Sequence, residues 1–301
     1  MKSPFRDDFV IEGFHFGGNE KTVAILGCMR GDEAQQLFVA SQIVKNLIQL
    51  DADGKISPDT GILVIPTGNP FSLNVQKRFW AMDNTDINRM FPGYNQGETT
   101  QRIAAAIFDA VSNYKWGIQL ASYYMSGNFS PHVRIMQTGY ENMEGAEAFG
   151  LPLIYKYVPA PFDSVVLNYN WQVFGTNAYS LYSGSTDTIS HDMAKQTWQA
   201  VLRFLGSIGA AKVALLPGAR PYVFSVDDLS TVTSDRAGLL YSKVAVGQFV
   251  RQGDVIAKVL DPLTGDTRQT ITSPSDGVVF FSHTKPLVHQ HSRLFQILSV
   301  R

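Results

Sequence analysis

A single cysteine, Cys28, in a chain of 301 residues is too little for a disulfide framework or a Cys-x-x-Cys metal knuckle, and it fits a reducing compartment. Long apolar runs are missing too: none approaches the roughly eighteen residues of a membrane span. Charge of one sign is not in excess, with 25 Lys and Arg against 26 Asp and Glu interspersed along the chain, giving a formal net charge of −1. No basic stripe is therefore available to neutralise a phosphate backbone, and nucleic acid is not an expected partner. The opening "MKSPFRDDFV" has no apolar core and carries acids early, which is not the pattern of a secretory leader. A cytoplasmic location without membrane association is expected. Low-complexity segments and repeat arrays are absent.

What is present is a composition with room for a sizeable core, 45% hydrophobic and 17% charged. "TVAILG" (22–27) and "GILVIP" (61–66) are short apolar runs bounded by Gly and Pro. Between them Ala40, Ile43, Val44, Leu47 and Ile48 repeat at helical spacing. This is a βαβ unit. A second helix in "TTQRIAAAIFDAVSN" spaces Ile103, Ile107, Ala110 and Val111 in the same way and leads into the strand-like "YKWGIQLAS". A parallel or mixed sheet covered by helices follows. Further strands are expected at "HVRIMQ" and "AYSLYSG", then a helix in "SHDMAKQTWQAVLRFLGSIG" with Ser190 or His191 near its start and Gly209 past its end. From about residue 213 helical periodicity gives way to short β runs separated by Gly, Asp-Pro and Ser-Pro turns. The chain is accordingly read as an α/β domain, 1–210, followed by an all-β domain, 211–301.

In an open α/β sheet, ligands sit where strands end and helices begin, because the loops there surround a crevice into which helix N-termini point their N–H groups. "CMRGDE" (28–33) lies at such a place, with turns at Gly27 and Gly31 and with Asp32 and Glu33 opening the helix. "KRFWAMDNTDINRMFPG" (77–93) follows the next parallel strand and brings Arg78, Asn88 and Arg89 together as donors suited to a carboxylate. The alternative for these three is a solvated turn or ion pairs with Asp83 or Asp86.

"GCMRGDE", "GNPFS", "DINRMFPG" and "QLAS", in that order, resemble the succinylglutamate desuccinylase and aspartoacylase family, relatives of the zinc carboxypeptidases that cleave amide bonds of N-acyl amino acids. The family pattern is Gly-x-His-Gly-Asp/Asn-Glu, Asn-Pro, Asp-Leu-Asn-Arg-x-Phe-Pro-Gly and Asp-Leu-His. The resemblance implies a zinc-carboxypeptidase-like mixed sheet covered by helices. It extends into the C-terminal part, where "GDVIAKV" and "SPSDGVV" resemble barrel-sandwich modules; the expected carrier tip reads "LTGDTRQ" and has no lysine. It also implies zinc as the family cofactor, bound by two His and a Glu. The matching positions are Arg30, Glu33 and Ala121, and arginine has no lone pair to donate. The family's catalytic Glu is matched by Tyr182, whose ordinary pKa near 10 makes a poor base. No cofactor is therefore expected, and Arg78, Asn88 and Arg89 match the family's substrate-binding residues.

Arg30 has two compatible roles: a salt bridge to a Glu33 deprived of its metal, or a fixed charge that holds an anionic ligand. Tyr182 is open between a packed aromatic and a catalytic group. Cys28, near a helix N-terminus and Arg30, is either a small buried residue or an activated thiolate. A relocated metal could involve His132 with Glu33, or His289 with His291 on one strand face. Three readings of function stand: a small-carboxylate-binding family member without zinc chemistry; an amide hydrolase with a rearranged or metal-free site built on Glu33, Tyr182 and His132; and a regulatory or interaction protein. A homo-oligomer is compatible with each.

Overall fold

The computed structural model describes residues 8–299. The expected βαβ unit forms from β2 (Lys21–Cys28), α1 (Ala34–Ala52) and β3 (Gly61–Thr67), with β2 and β3 parallel and β1 (Phe14–Gly17) antiparallel on the outer edge of β3. Val39, Ala40, Ile43, Val44 and Leu47 bury against the sheet, as their spacing requires. Ile48, grouped with that stripe in the sequence, instead lies 53% exposed at its border. After a short α2 (Pro70–Asn74), capped by the Asn69 side chain, the chain makes a 3-10 turn at Ile87–Arg89 and enters α3 (Thr99–Val111). There Ile103, Ala104, Ile107, Phe108 and Val111 are buried, while Ala110 faces out.

The next strands are β4 (Trp116–Ala121) and β5 (Gly127–Met136), then after α4 (Met143–Glu147) comes β6 (Leu153–Tyr157). α5 (Leu167–Val173), β7 (Asn177–Gly184) and α6 (His191–Ser207) complete the helical part. β4 pairs in parallel with β2 and β7; β5 runs antiparallel to β7 and parallel to β6. Alternation along these strands sorts side chains between two faces. Ile118, Leu120, Val133, Ile135, Tyr179 and Leu181 enter the core under α1 and α6. On the other face Ala24, Leu26 and Ala178 meet α3 and α5, and the same face continues past them as the floor of a cleft.

The remaining strands are β8 (Tyr222–Phe224), β9 (Leu229–Thr233), β10 (Gly238–Ser242), β11 (Phe249–Val250), β12 (Val255–Leu260), β13 (Thr267–Thr272), β14 (Gly277–His283), β15 (Leu287–Val288) and β16 (Arg293–Leu298). The sheet continues across residue 210. Strand order is β1-β3-β2-β4-β7-β5-β14-β16-β9, with β11 beside β14 and β6 linking β5 to β8. Phe281, Ser282 and His283 of β14 pair with Phe129, Asn128 and Gly127 of β5. A second sheet, β13-β12-β10-β15, packs over β14 and β16 through Ile256, Val259, Ile271, Val279, Phe295 and Ile297. The turn after β12, in "LTGDTRQ", is closed by Asp261, which accepts from the Leu263 and Thr264 amides and from Arg268. Among the described residues no helix is long and apolar enough to cross a membrane.

Candidate active-site cleft

β2 ends at Cys28, and the chain then turns through Gly31, whose amide donates to the Lys77 and Arg78 carbonyls. α1 begins at Ala34, so that Asp32 and Glu33, expected to open the helix, precede it, with Glu33 as the N-cap residue and its side chain turned back to the loop. One carboxylate oxygen accepts from the Met29 amide at 2.7 Å and the Arg30 amide at 3.0 Å; the other accepts from Arg30 Nη1 at 3.0 Å and from the Ser122 hydroxyl. Arg30 Nε and Nη2 donate to one oxygen of Asp86, at 3.2 and 2.8 Å. The guanidinium thus lies between two carboxylates, with Glu33 only 1% exposed. Burial alone would make Arg30 easier to deprotonate, but Glu33 and Asp86 outweigh it and hold the guanidinium above its ordinary range. Asp86, from the segment after β3, also accepts from the Asn88 amide and so fixes the 3-10 turn.

Arg78 Nη1 contacts both oxygens of Asp32, at 3.1 and 3.0 Å, and Nη2 reaches the Tyr123 carbonyl. Arg89 donates to the Phe162 carbonyl and to Asp163 at 3.2 Å. Asn88 Oδ1 accepts from Gln119 Nε2 and the Leu167 amide. The ion pairs therefore form, but with Asp32 and Asp163 in place of the Asp83 and Asp86 anticipated from proximity in sequence. Arg30, Arg78, Asn88, Arg89, Ala121, His132 and Tyr182 all line one cleft of about 700 Å3, with Glu33 beneath its edge. The other wall comes from the C-terminal strands, through Leu229, Thr231, Phe280, Arg293 and Gln296.

Tyr182 on β7 stacks on His132, ring centroids 5.2 Å apart and planes within 6°, and its hydroxyl accepts from Arg134 Nη1 at 2.9 Å. His132 Nδ1 lies 2.8 Å from the Ser130 carbonyl, which can only accept, so Nδ1 carries the proton of the neutral ring. Burial, reinforced by the positive charge of Arg134, lowers the His132 pKa to about 4 despite that bond. No hydrogen bond or ion pair joins His132 to Glu33 among the described residues. His289 and His291 do not share a strand face: they flank a turn, exposed, with His291 at φ 65°, away from the cleft. Among the described residues no three His, Cys, Asp or Glu side chains gather as a metal-binding group. Cys28 is fully buried, and burial, with the charge of Glu33 adding to it, pushes its thiol up to about 12, the opposite of activation.

Arg134, Arg293, Asn168, Asp163 and Tyr157 were not singled out by sequence reasoning. Arg134 carried a signal: "HVRIM" alternates His132, Arg134 and Met136 with Val133 and Ile135, and the first set faces the cleft. For Asp163 and Asn168 no local pattern existed.

A family model described as the succinylglutamate desuccinylase/aspartoacylase catalytic domain matches residues 19–208. The chain belongs to this family. Among curated relatives, an N-alpha-acetyl-L-2,4-diaminobutyric acid deacetylase from Halomonas elongata is 27% identical over 263 residues, 81% of this chain and 72% of that protein. The fold is shared with a succinylglutamate desuccinylase from Silicibacter sp. TM1040, TM-score 0.79 at 17% identity, covering 96% of this chain and 89% of that one. It is shared also with the product-bound ectoine utilization protein EutE (DoeB) from Ruegeria pomeroyi, TM-score 0.75 at 19% identity, covering 94% and 87%. The family is one of deacylases and desuccinylases.

Proposed function

We propose that the cleft binds a small carboxylate-bearing molecule, an N-acyl amino acid or a peptide end, with Arg30 standing in for the metal ion of the family. The observation that carries this is the guanidinium fixed between Glu33 and Asp86. Zinc requires three or four N, S or O lone pairs. Arg30 and Ala121 supply none, and both Glu33 oxygens already accept hydrogen bonds. The residues present do not fit the ion. A single fixed positive charge replaces it, paired with the buried Glu33 side chain but without an open coordination position.

Within this reading Arg78, Asn88 and Arg89 hold the polar part of the ligand. Each arginine is neutralised once by an acid yet keeps N–H groups to spare, Arg78 Nε being buried without a partner among the described residues. The C-terminal strands, which we read as a barrel-sandwich-like module with no carrier lysine, close the cleft and restrict the size of what enters. An amide hydrolase built on Glu33, Tyr182 and His132 is the weaker reading, because a base must have a free lone pair and Glu33 offers none.

Elemental analysis of protein purified without an affinity tag tests the substitution, and no stoichiometric zinc is expected. About one zinc per chain, with chelator-sensitive hydrolysis of an N-acyl amino acid, would overturn it. The double substitution Arg30→His with Ala121→His, which restores lone pairs beside Glu33, is expected to gain zinc that the parent lacks. A thermal-shift screen of N-acyl amino acids is expected to find stabilisers whose effect Arg89→Ala removes.

A further inference from the structure

The charges of the cleft are unevenly distributed. Arg30 is flanked by two carboxylates, so its end of the cleft carries a net negative charge; Arg78 with Asp32 and Arg89 with Asp163 are neutral pairs. Arg134, on the β5 floor, and Arg293, on the C-terminal wall, have no carboxylate within ion-pair distance among the described residues. Their protein partners are phenols: Arg134 donates to the Tyr182 hydroxyl and lies 3.7 Å from the centroid of the Tyr157 ring, and Arg293 donates to the Tyr123 hydroxyl. The nearby Asp163 is committed to Arg89, to the Tyr157 hydroxyl and to the Ala160 amide. Arg134, Arg293 and Tyr155 line the same cleft.

Unsatisfied polar atoms lie in the same cleft. Asn168, 1% exposed at the start of α5, has neither amide atom hydrogen-bonded, and Arg134 Nε is likewise buried without a partner among the described residues. Leaving such groups unpaired costs about 1–3 kcal/mol each, a penalty removed when a ligand supplies the missing acceptor and donor. The surfaces between them are aromatic, contributed by Tyr155, Tyr157, Phe162 and Phe280.

From these observations we infer that Arg134 and Arg293 form an anion subsite for the single carboxylate of a ligand with a flat apolar body, with Asn168 meeting its neutral polar group. The inference deepens the proposed function and rests on it. A carboxylate between them gains two guanidinium groups that no protein acid competes for, whereas at the Arg30 end it would meet excess negative charge. The rings between supply flat contact area and exclude water from the ion pair.

Isothermal titration of the full-length protein with N-acetyl-L-phenylalanine, its uncharged amide and N-acetylglycine separates charge from ring. The acid is expected to bind about tenfold or more tightly than either other probe, since each lacks one of the two recognised features. Arg293→Gln and Arg134→Gln are each expected to weaken binding of the acid by about tenfold or more. Arg268→Gln, remote on the second sheet, is expected to leave it unchanged. Because Arg134 also packs on Tyr157, Arg293 carries the decision if Arg134→Gln fails to fold. Equal binding of the acid and its amide, equal binding of N-acetylglycine, or a parental affinity in Arg293→Gln would overturn the subsite. If the acid binds and only Arg89→Ala abolishes it, the subsite falls and the proposed function stands; if no N-acyl amino acid binds at all, both fall.

Discussion

Arg30 and Glu33 hold each other in a buried position that neither would tolerate alone. Replacing Arg30 with methionine leaves Glu33 almost fully buried with no cation, and breaking a buried pair from one side costs about 3–5 kcal/mol. Urea denaturation of Arg30→Met is expected to show a loss of that size, and adding Glu33→Gln to it should recover a large part. If the double variant is no more stable than Arg30→Met, Glu33 does not require its partner. His132 makes a second prediction at this scale. Its pKa falls from 6.5 when unfolded to about 4 when folded, so between these values the unfolded chain binds more protons and stability rises with pH. The contribution is fully present above about pH 6.5 and is lost as pH falls towards 4, about 3 kcal/mol at most. In His132→Phe, this part of the acid limb of a stability-against-pH curve is expected to flatten; a curve parallel to that of the parent would show that His132 is not held neutral by the fold.

Among elements, the loop after β2 is held closely by its neighbours. A Cβ on Gly31 would lie 2.2 Å from the Ser72 carbonyl oxygen and 2.4 Å from that of Lys77, both backbone atoms that cannot turn aside. Gly31→Ala is expected to destabilise by about 1–3 kcal/mol and to weaken ligand binding, because the loop positions Arg30 and Asp32. Gly206 in α6 is the contrast: a Cβ there meets only ordinary contacts, no closer than 3.7 Å, and Gly206→Ala should stabilise by about 0.5–1 kcal/mol. Similar thermal midpoints for the two variants would show that the loop gives way more easily than its packing implies. At this scale much was legible. The apolar spacing of α1 and α3 and the turn residues around β2 and β3 act locally, so they could be read directly; Ile48 and Ala110 could not, because the width of a buried stripe depends on what packs beside it.

For the whole molecule, the important join is along β5. Residues 127–129 pair with β14 and residues 133–136 with β6, so one strand carries both the cleft floor and the seam to the C-terminal strands. Phe129 packs against Phe280 and Phe281 across that seam, with centroids 5.5 and 4.8 Å apart. A chain ending at residue 210 would expose this edge and the Phe129 ring and would lose the wall bearing Arg293. The full chain is expected to unfold in one calorimetric transition, and the 1–210 fragment to aggregate or to melt without cooperativity. A monomeric fragment with the parental midpoint would mean that the two parts are energetically independent.

The sequence by itself determined the α/β order of elements, the family, and some of the residues that rim the cleft, because periodicity, turn chemistry and short motifs are local properties of the chain. Only the tertiary structure decided which cations are neutralised and which remain available. Arg30 meets Asp86 from 56 residues away and Arg89 meets Asp163 from 74 away, while Arg134 is brought by the register of β5 and β7 beneath the hydroxyl of Tyr182. Charge pairing depends on distance in space, and no reading of neighbours along the chain gives that distance.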